Sequence, residues 1–207
     1  MKSVTRRPLL LGSVIALACP TVASAQTADP AAPIRALDDA LLQIMHAGAK
    51  TPFGERARIL APVIGVAFDL PQILKTSVGP RWSQFPMAQQ IELMDVFTRY
   101  TVASYVANFD GFSGEKFVVA PQTRAVGGDQ VVETTIVPGD GSEGTRIDYV
   151  MRLSGGKWKA VDVLLDGSIS RVAVQRSDFR ALVGGDAKAL IASLRAKTAG
   201  LESGGKN

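Results

Sequence analysis

The sequence predicts an α+β fold, an antiparallel sheet of about four strands with N-terminal and C-terminal helices packed on it. Two observations point to this. Apolar residues recur at helical spacing before residue 110 and again after residue 167, and between them the period shifts to alternation broken by Gly-rich turns. In addition, 207 residues with 46% hydrophobic and 20% charged side chains are what one globular domain needs to bury its own core.

The elements follow in order. Residues 1–25 carry Lys2, Arg6 and Arg7, then an apolar run from Pro8 to Ala18, then Ala23-Ser24-Ala25. A basic start, a short apolar centre and a small-x-small end read as a secretory signal, cleaved after Ala25. Arg6-Arg7 ahead of Pro8-Leu9-Leu10 also resembles a twin-arginine signal. Without this segment the three cations are lost, and the formal net charge falls from +4 to +1. A basic stripe for nucleic acid then has no support.

Asp29-Pro30-Ala31-Ala32-Pro33 is an extended lead-in to a helix carrying Ile34, Leu37, Leu41, Ile44 and Met45 and ending at Gly48. Thr51-Pro52 starts a second helix with Ile59, Leu60, Val63, Ile64 and Phe68, bent at Pro62. Asp69 caps a short third helix that Gly79-Pro80 stops. Pro86 opens the longest helix, which runs to about Asn108 and is apolar over more than half its circumference, as a sandwiched helix would be.

Lys116–Val126, Gln130–Val137, Thr145–Leu153 and Lys157–Leu165 read as the strands, joined by Gly127-Gly128-Asp129, Pro138-Gly139-Asp140-Gly141 and Gly155-Gly156. In the third strand Ile147, Tyr149, Met151 and Leu153 alternate with Arg146, Asp148 and Arg152, which predicts one wet face. After Asp166-Gly167 the helical period returns through Ile169, Val172, Phe179 and Leu182, and then through Leu190, Ile191 and Leu194. The expected organisation is a signal peptide over 1–25, one domain over 26–200 and a flexible tail over 201–207.

Little in this inventory suggests catalysis. A single cysteine, Cys19, and a single histidine, His46, exclude a disulfide scaffold, a thiolate zinc site and a multi-histidine metal site. Nucleophile-elbow and phosphate-loop motifs are absent. We therefore assign no catalytic residue, no metal and no cofactor. Asp162, in mid-strand among Val161, Val163 and Leu164, must be paired or hydrogen-bonded. It could join Tyr149 as the carboxylate–phenol pair of an exported isomerase or hydratase. Alternatively it is structural, pairing with an arginine such as Arg176 or capping the following segment. The apolar surplus of the long helix is equally open, since it could fill a dry core or wall a cavity.

Several motifs resemble a known family. Lys157-Trp158-Lys159-Ala160-Val161-Asp162-Val163-Leu164-Leu165-Asp166-Gly167-Ser168-Ile169-Ser170, then Arg176-Ser177-Asp178-Phe179, then Gly185 and Leu190–Leu194, resemble the MlaC-type periplasmic lipid carriers. These are also called the toluene-tolerance auxiliary family of ABC transport systems. Gly79, Trp82, Gln89 or Gln90, Phe97 and Tyr105 match the family's upstream pattern, so the likeness spans residues 34–197. Asp-Gly-Ser-Ile-Ser at 166–170 stands where the phospholipid carriers read Glu-Gly-apolar-Ser, and this longer form resembles the hopanoid-associated HpnM branch.

The resemblance implies a curved sheet and helices enclosing an apolar cavity, and no enzyme activity. It implies carriage of a phospholipid or hopanoid lipid through the periplasm between the inner and outer membranes. The implied partners are an inner-membrane MCE-type protein with its ABC transporter or an RND-type exporter, and an outer-membrane complex. Exposing two acyl tails of about thirty methylenes to water costs on the order of 20 kcal/mol, so a ferry needs a deep pocket near the upper end of roughly 300–1,000 Å³. The expected lining is Phe68, Leu74, Ile91, Met94, Phe97, Val132, Ile136, Tyr149, Met151, Trp158 and Ile169. Asp162 and Arg176 are expected to be structural. A third reading is an adaptor with a filled core that docks to a membrane complex.

Overall fold

A computed structural model describes Met1 and residues 29–205. The expected signal peptide, its expected cleavage point after Ala25 and Cys19 lie, apart from Met1, outside the described residues. No helix among the described residues is long and apolar enough to cross a membrane.

Four helices lead. α1 (Ala32–Ala47) buries Ile34, Leu37, Leu41 and Ile44 completely, the stripe expected of one amphipathic face. α2 (Phe53–Ala67) runs on through Pro62, which sits on the exposed side where a lost backbone bond is met by water. α3 (Leu70–Val78) is capped by the Asp69 carboxylate, which accepts from the Gln72 amide at 3.1 Å. A 3-10 turn over Gly79–Gln84 leads into α4 (Met87–Asn108). α4 packs on α6 (Lys188–Glu202) and also on α2 and α3, so its wide apolar surface is sandwiched as expected.

The sheet is antiparallel throughout. β3 (Asp129–Val137), β4 (Thr145–Ser154) and β5 (Lys157–Leu165) form its centre. β1 (Lys116–Val119) and β2 (Arg124–Val126) both pair with β3, along its C-terminal and N-terminal halves respectively. β6 (Ile169–Ser170) closes the far edge against β5, and α5 (Arg171–Arg180) follows directly.

Among the described residues six strands therefore replace the expected four. The first expected strand breaks at Pro121, which has no N–H to give the ladder; the last first-half bond comes from Ala120, whose amide donates to Glu133 at 2.8 Å. Ile169, expected on a helix, instead pairs with Leu165 in β6. The β4–β5 hairpin turns on Gly155 and Gly156, both at positive φ, the tight turn that side-chain-bearing residues resist. Gly139 is required for a different reason, because a Cβ there would sit 2.0 Å from the Ser113 carbonyl oxygen.

The register of β4 and β5 shifts between Val150 and Met151, leaving Val161 without a partner. Such a bulge bends the strand and sharpens its local twist. The helices cover the face that carries Val132, Tyr149, Met151 and Ala160. The opposite face is less wet than expected. Asp148 is fully buried there because Arg146 grips it through two bonds of 2.8 and 2.7 Å and also lies 3.1 Å from Glu133. Arg124 reaches the same Glu133 at 3.4 Å. Residue 201, where a flexible tail is expected to begin, lies inside the last helix. Leu201 is buried against Ala103 and Ala107, and α6 continues to Glu202.

Candidate functional site

Sheet and helices do not close completely on one another. Between α3, α4, α5 and the β4–β5 half of the sheet lies a half-open cavity of about 430 Å³. Each wall follows from the local sequence. The C-terminal half of α4 sends in Thr101, Ser104, Tyr105 and Asn108, spaced three and four residues apart and therefore stacked on one side of the helix. Phe97 and Tyr100 extend that wall, and Phe109 ends it. Ile147 and Tyr149 alternate along β4 and, with Val163 and Leu165 opposite them on β5, form the floor. Phe68, Leu70 and Ile73 enter from the α2–α3 junction, where the Asp69 amide donates to the Ala160 carbonyl and ties the helices to β5. Arg171, Val172 and Gln175 complete the site from the start of α5.

Aromatic rings dominate. Phe68 lies 5.7 Å from Tyr105 and 6.2 Å from Tyr149 between ring centroids, and Tyr105 stacks on Phe109 at 6.1 Å. Both tyrosines are held as neutral phenols, since burial pushes their pKa values well above the ordinary 10. Arg171 partly offsets this for Tyr105, which places its positive charge within electrostatic reach of that phenol.

Of the expected lining residues, Phe68, Phe97 and Tyr149 stand on the cavity wall. Leu74, Val132 and Met151 are buried in the solid core beside it. Met94 and Trp158 are half-buried against that core, and Ile136 is half-buried in the β1–β3–β4 ladder. Ile91 and Ile169 face solvent, at 65% and 51% exposure. The wall residues that sequence reasoning missed belong mostly to the second half of α4. Their signal was readable: Thr101, Ser104, Tyr105 and Asn108 put a weakly polar stripe beside Val102, Ala103, Val106 and Ala107 in the last turns of the helix.

Asp162 is on the wall, and its oxygens are occupied. Oδ1 accepts from the Val163 amide at 2.8 Å and the Val172 amide at 3.1 Å, and Oδ2 accepts from the Ser170 hydroxyl at 2.5 Å. Ser170 Oγ in turn accepts from the Ala173 amide at 2.9 Å, so the pair caps α5 and welds it to β5. The expected pairing with Arg176 does not form. One turn and a half along α5, that guanidinium lies against Gly79 instead, where an added Cβ would meet its Nη2 at 3.6 Å.

Removing this carboxylate strips the cap and leaves several donors without partners. Asp162→Ala is expected to cost about 2–4 kcal/mol, and Asp162→Asn, which keeps one acceptor oxygen, about half as much. Urea unfolding monitored by circular dichroism measures both.

A family model described as MlaC protein matches residues 35–196. The chain belongs to the MlaC family. The match covers every helix and strand described above except for the first residues of α1 and the last of α6. Among solved structures, this MlaC-family chain is similar to the phospholipid-binding protein from Ralstonia solanacearum, solved in complex with a phospholipid. The TM-score is 0.72 at 23% identity, covering 84% of this chain and 99% of that one. The likeness shows that the two share a fold. No curated protein matches the chain significantly.

Proposed function

We propose that this protein is a periplasmic lipid carrier without catalytic activity. It takes up the tails of a phospholipid or hopanoid-type lipid and conveys them between the inner and outer membranes. The observation that carries this reading is the half-open cavity of about 430 Å³, walled by Phe68, Phe97, Tyr105, Phe109, Ile147, Tyr149 and Val163. Its volume falls in the lower half of the range expected of small-molecule sites, below what two fully enclosed tails require. Part of a two-tailed guest therefore stays near the mouth. Membership of the MlaC family and the phospholipid bound by the Ralstonia protein support the same reading.

A filled-core adaptor has no use for such a void. The isomerase-like alternative has its two residues on one wall, yet Asp162 already accepts three hydrogen bonds that hold α5 in place. The basic start, apolar run and small-x-small end of residues 1–25 support work outside the cytoplasm, where the carrier would exchange lipid with an MCE-type protein and its ABC transporter, or an RND-type exporter, on one side and an outer-membrane complex on the other.

Fluorescent phospholipid transfer between donor and acceptor vesicles tests the reading. Transfer should rise in proportion to protein concentration and persist when the vesicles are separated by a membrane that only protein can pass. Transfer no faster than in buffer would contradict it.

A further inference from the structure

Among the residues lining the cavity only one carries a positive charge, and it stands at the mouth. Arg171 is exposed, while the rings of Tyr105, Phe68 and Tyr149 lie behind it. Among the described residues it takes part in no ion pair, whereas Arg124, Arg146, Arg152 and Arg195 each sit on a carboxylate. Asp162, the one acidic residue on the wall, is consumed by the Val163, Val172 and Ser170 donors.

The start of α5 has two of its backbone donors already committed. Its Val172 and Ala173 amides are already taken by Asp162 and Ser170. The guanidinium is thus the strong anion donor at this rim, with the Asn108 and Gln175 side-chain amides beside it on the lining. Burial of one apolar end and a single unpaired fork of N–H donors at the other is a pattern for an amphiphile with a small anionic head.

We propose that Arg171 binds the phosphate of the carried lipid at the cavity mouth and selects phosphate-bearing lipids over uncharged ones of the same tail length. This rests on the lipid-carrier reading and deepens it by assigning the headgroup. Asn108 and Gln175 would flank the phosphate, with the tails running inward past Tyr105.

The test separates the two layers. The full-length protein and its Arg171→Gln and Arg171→Lys variants are stripped of lipid and equilibrated with vesicles containing either phosphatidylglycerol or diacylglycerol with identical chains. Bound lipid is then counted by native mass spectrometry. The wild type should prefer phosphatidylglycerol. Arg171→Gln should bind it about tenfold less while taking diacylglycerol as well as before, and Arg171→Lys should fall between, because an ammonium cannot make the two-pronged contact. Adding 10 mM inorganic phosphate should leave phosphatidylglycerol loading unchanged. Displacement by inorganic phosphate would instead assign Arg171 to free phosphate and overturn the headgroup role. Equal phosphatidylglycerol loading of wild type and Arg171→Gln would overturn it as well, with the carrier reading intact. Wild-type protein that binds neither lipid would remove the carrier reading and the proposal together.

Discussion

Ser104→Trp should abolish lipid loading while leaving the protein folded. Ser104 stands on the α4 wall of the cavity, and its hydroxyl is buried without a hydrogen-bond partner among the described residues. Losing that hydroxyl therefore forfeits nothing, and Ser104→Ala should keep both full loading and an unchanged or slightly raised Tm. The indole, by contrast, brings roughly 150–250 Å² of aromatic surface into a void of about 430 Å³ that Tyr100, Tyr105 and Phe97 border. In a solid core such an insertion costs about 1–3 kcal/mol. Here there is room for it, so Tm should move by only a few degrees while bound lipid drops at least tenfold. Thermal unfolding and native mass spectrometry on the same preparation read both quantities. Full loading of the tryptophan variant would mean that lipid sits elsewhere.

The second large effect concerns stability. Asp38, on the buried side of α1, is 4% exposed, and neither of its carboxylate oxygens has a hydrogen-bond partner among the described residues. Desolvation, reinforced by the neighbouring charge of Asp39, pushes its pKa from 3.8 up to about 7. The sign follows from linkage. Between those two values the folded state holds a proton that the unfolded state has released, so stability falls as pH rises from about 4 to about 7, and the loss is complete above the folded pKa. At about 1.4 kcal/mol per pH unit the total is on the order of 4 kcal/mol.

Asp38→Leu should accordingly be more stable than wild type at pH 8 by a few kcal/mol, and by much less at pH 4.5. Asp38→Asn should flatten the slope without the full gain, because its amide is still buried. Guanidinium denaturation across pH 4–8 gives the difference directly. The same residue bears on the site, because its charge also opposes ionisation of Tyr105 and Tyr149, placing it within electrostatic reach of the cavity wall. Leucine there should leave lipid loading unaltered.

Most of the fold could be read in the chain. The helical stripe of α1, the Asp69 cap of α3, the Pro86 start of α4 and the Gly155-Gly156 hairpin are local signals, each set by a few neighbouring residues. What escaped depends on partners distant in sequence. Asp148 on a face expected to be wet is buried only because Arg146 and Arg124 close over it from their own places on the sheet. Leu201 looks like part of a polar tail until Ala103 and Ala107 are brought beneath it.

The cavity shows the same division. Phe97 and Tyr149 could be picked out by apolarity, but apolarity does not separate a wall from a core, as Leu74, Val132 and Met151 demonstrate. Ile91, on the same helix as Phe97, faces solvent because two residues six apart on a helix point in different directions. The better marker of the wall was the mixed stripe of Thr101, Ser104, Tyr105 and Asn108. A guest that is apolar along its length and polar at one end leaves that kind of imprint, where a purely dry core would have selected leucine and valine.

The central claim is that the space between α4 and the sheet exists to be completed by lipid. It is tested most directly by purifying the protein from the periplasm of its own cells and weighing it intact under native conditions, with organic extraction of the same sample. A mass exceeding that of the chain, matched by an extracted amphiphile in about equimolar amount and lost in Ser104→Trp, is the expected result. A bare polypeptide mass from repeated preparations would contradict the account.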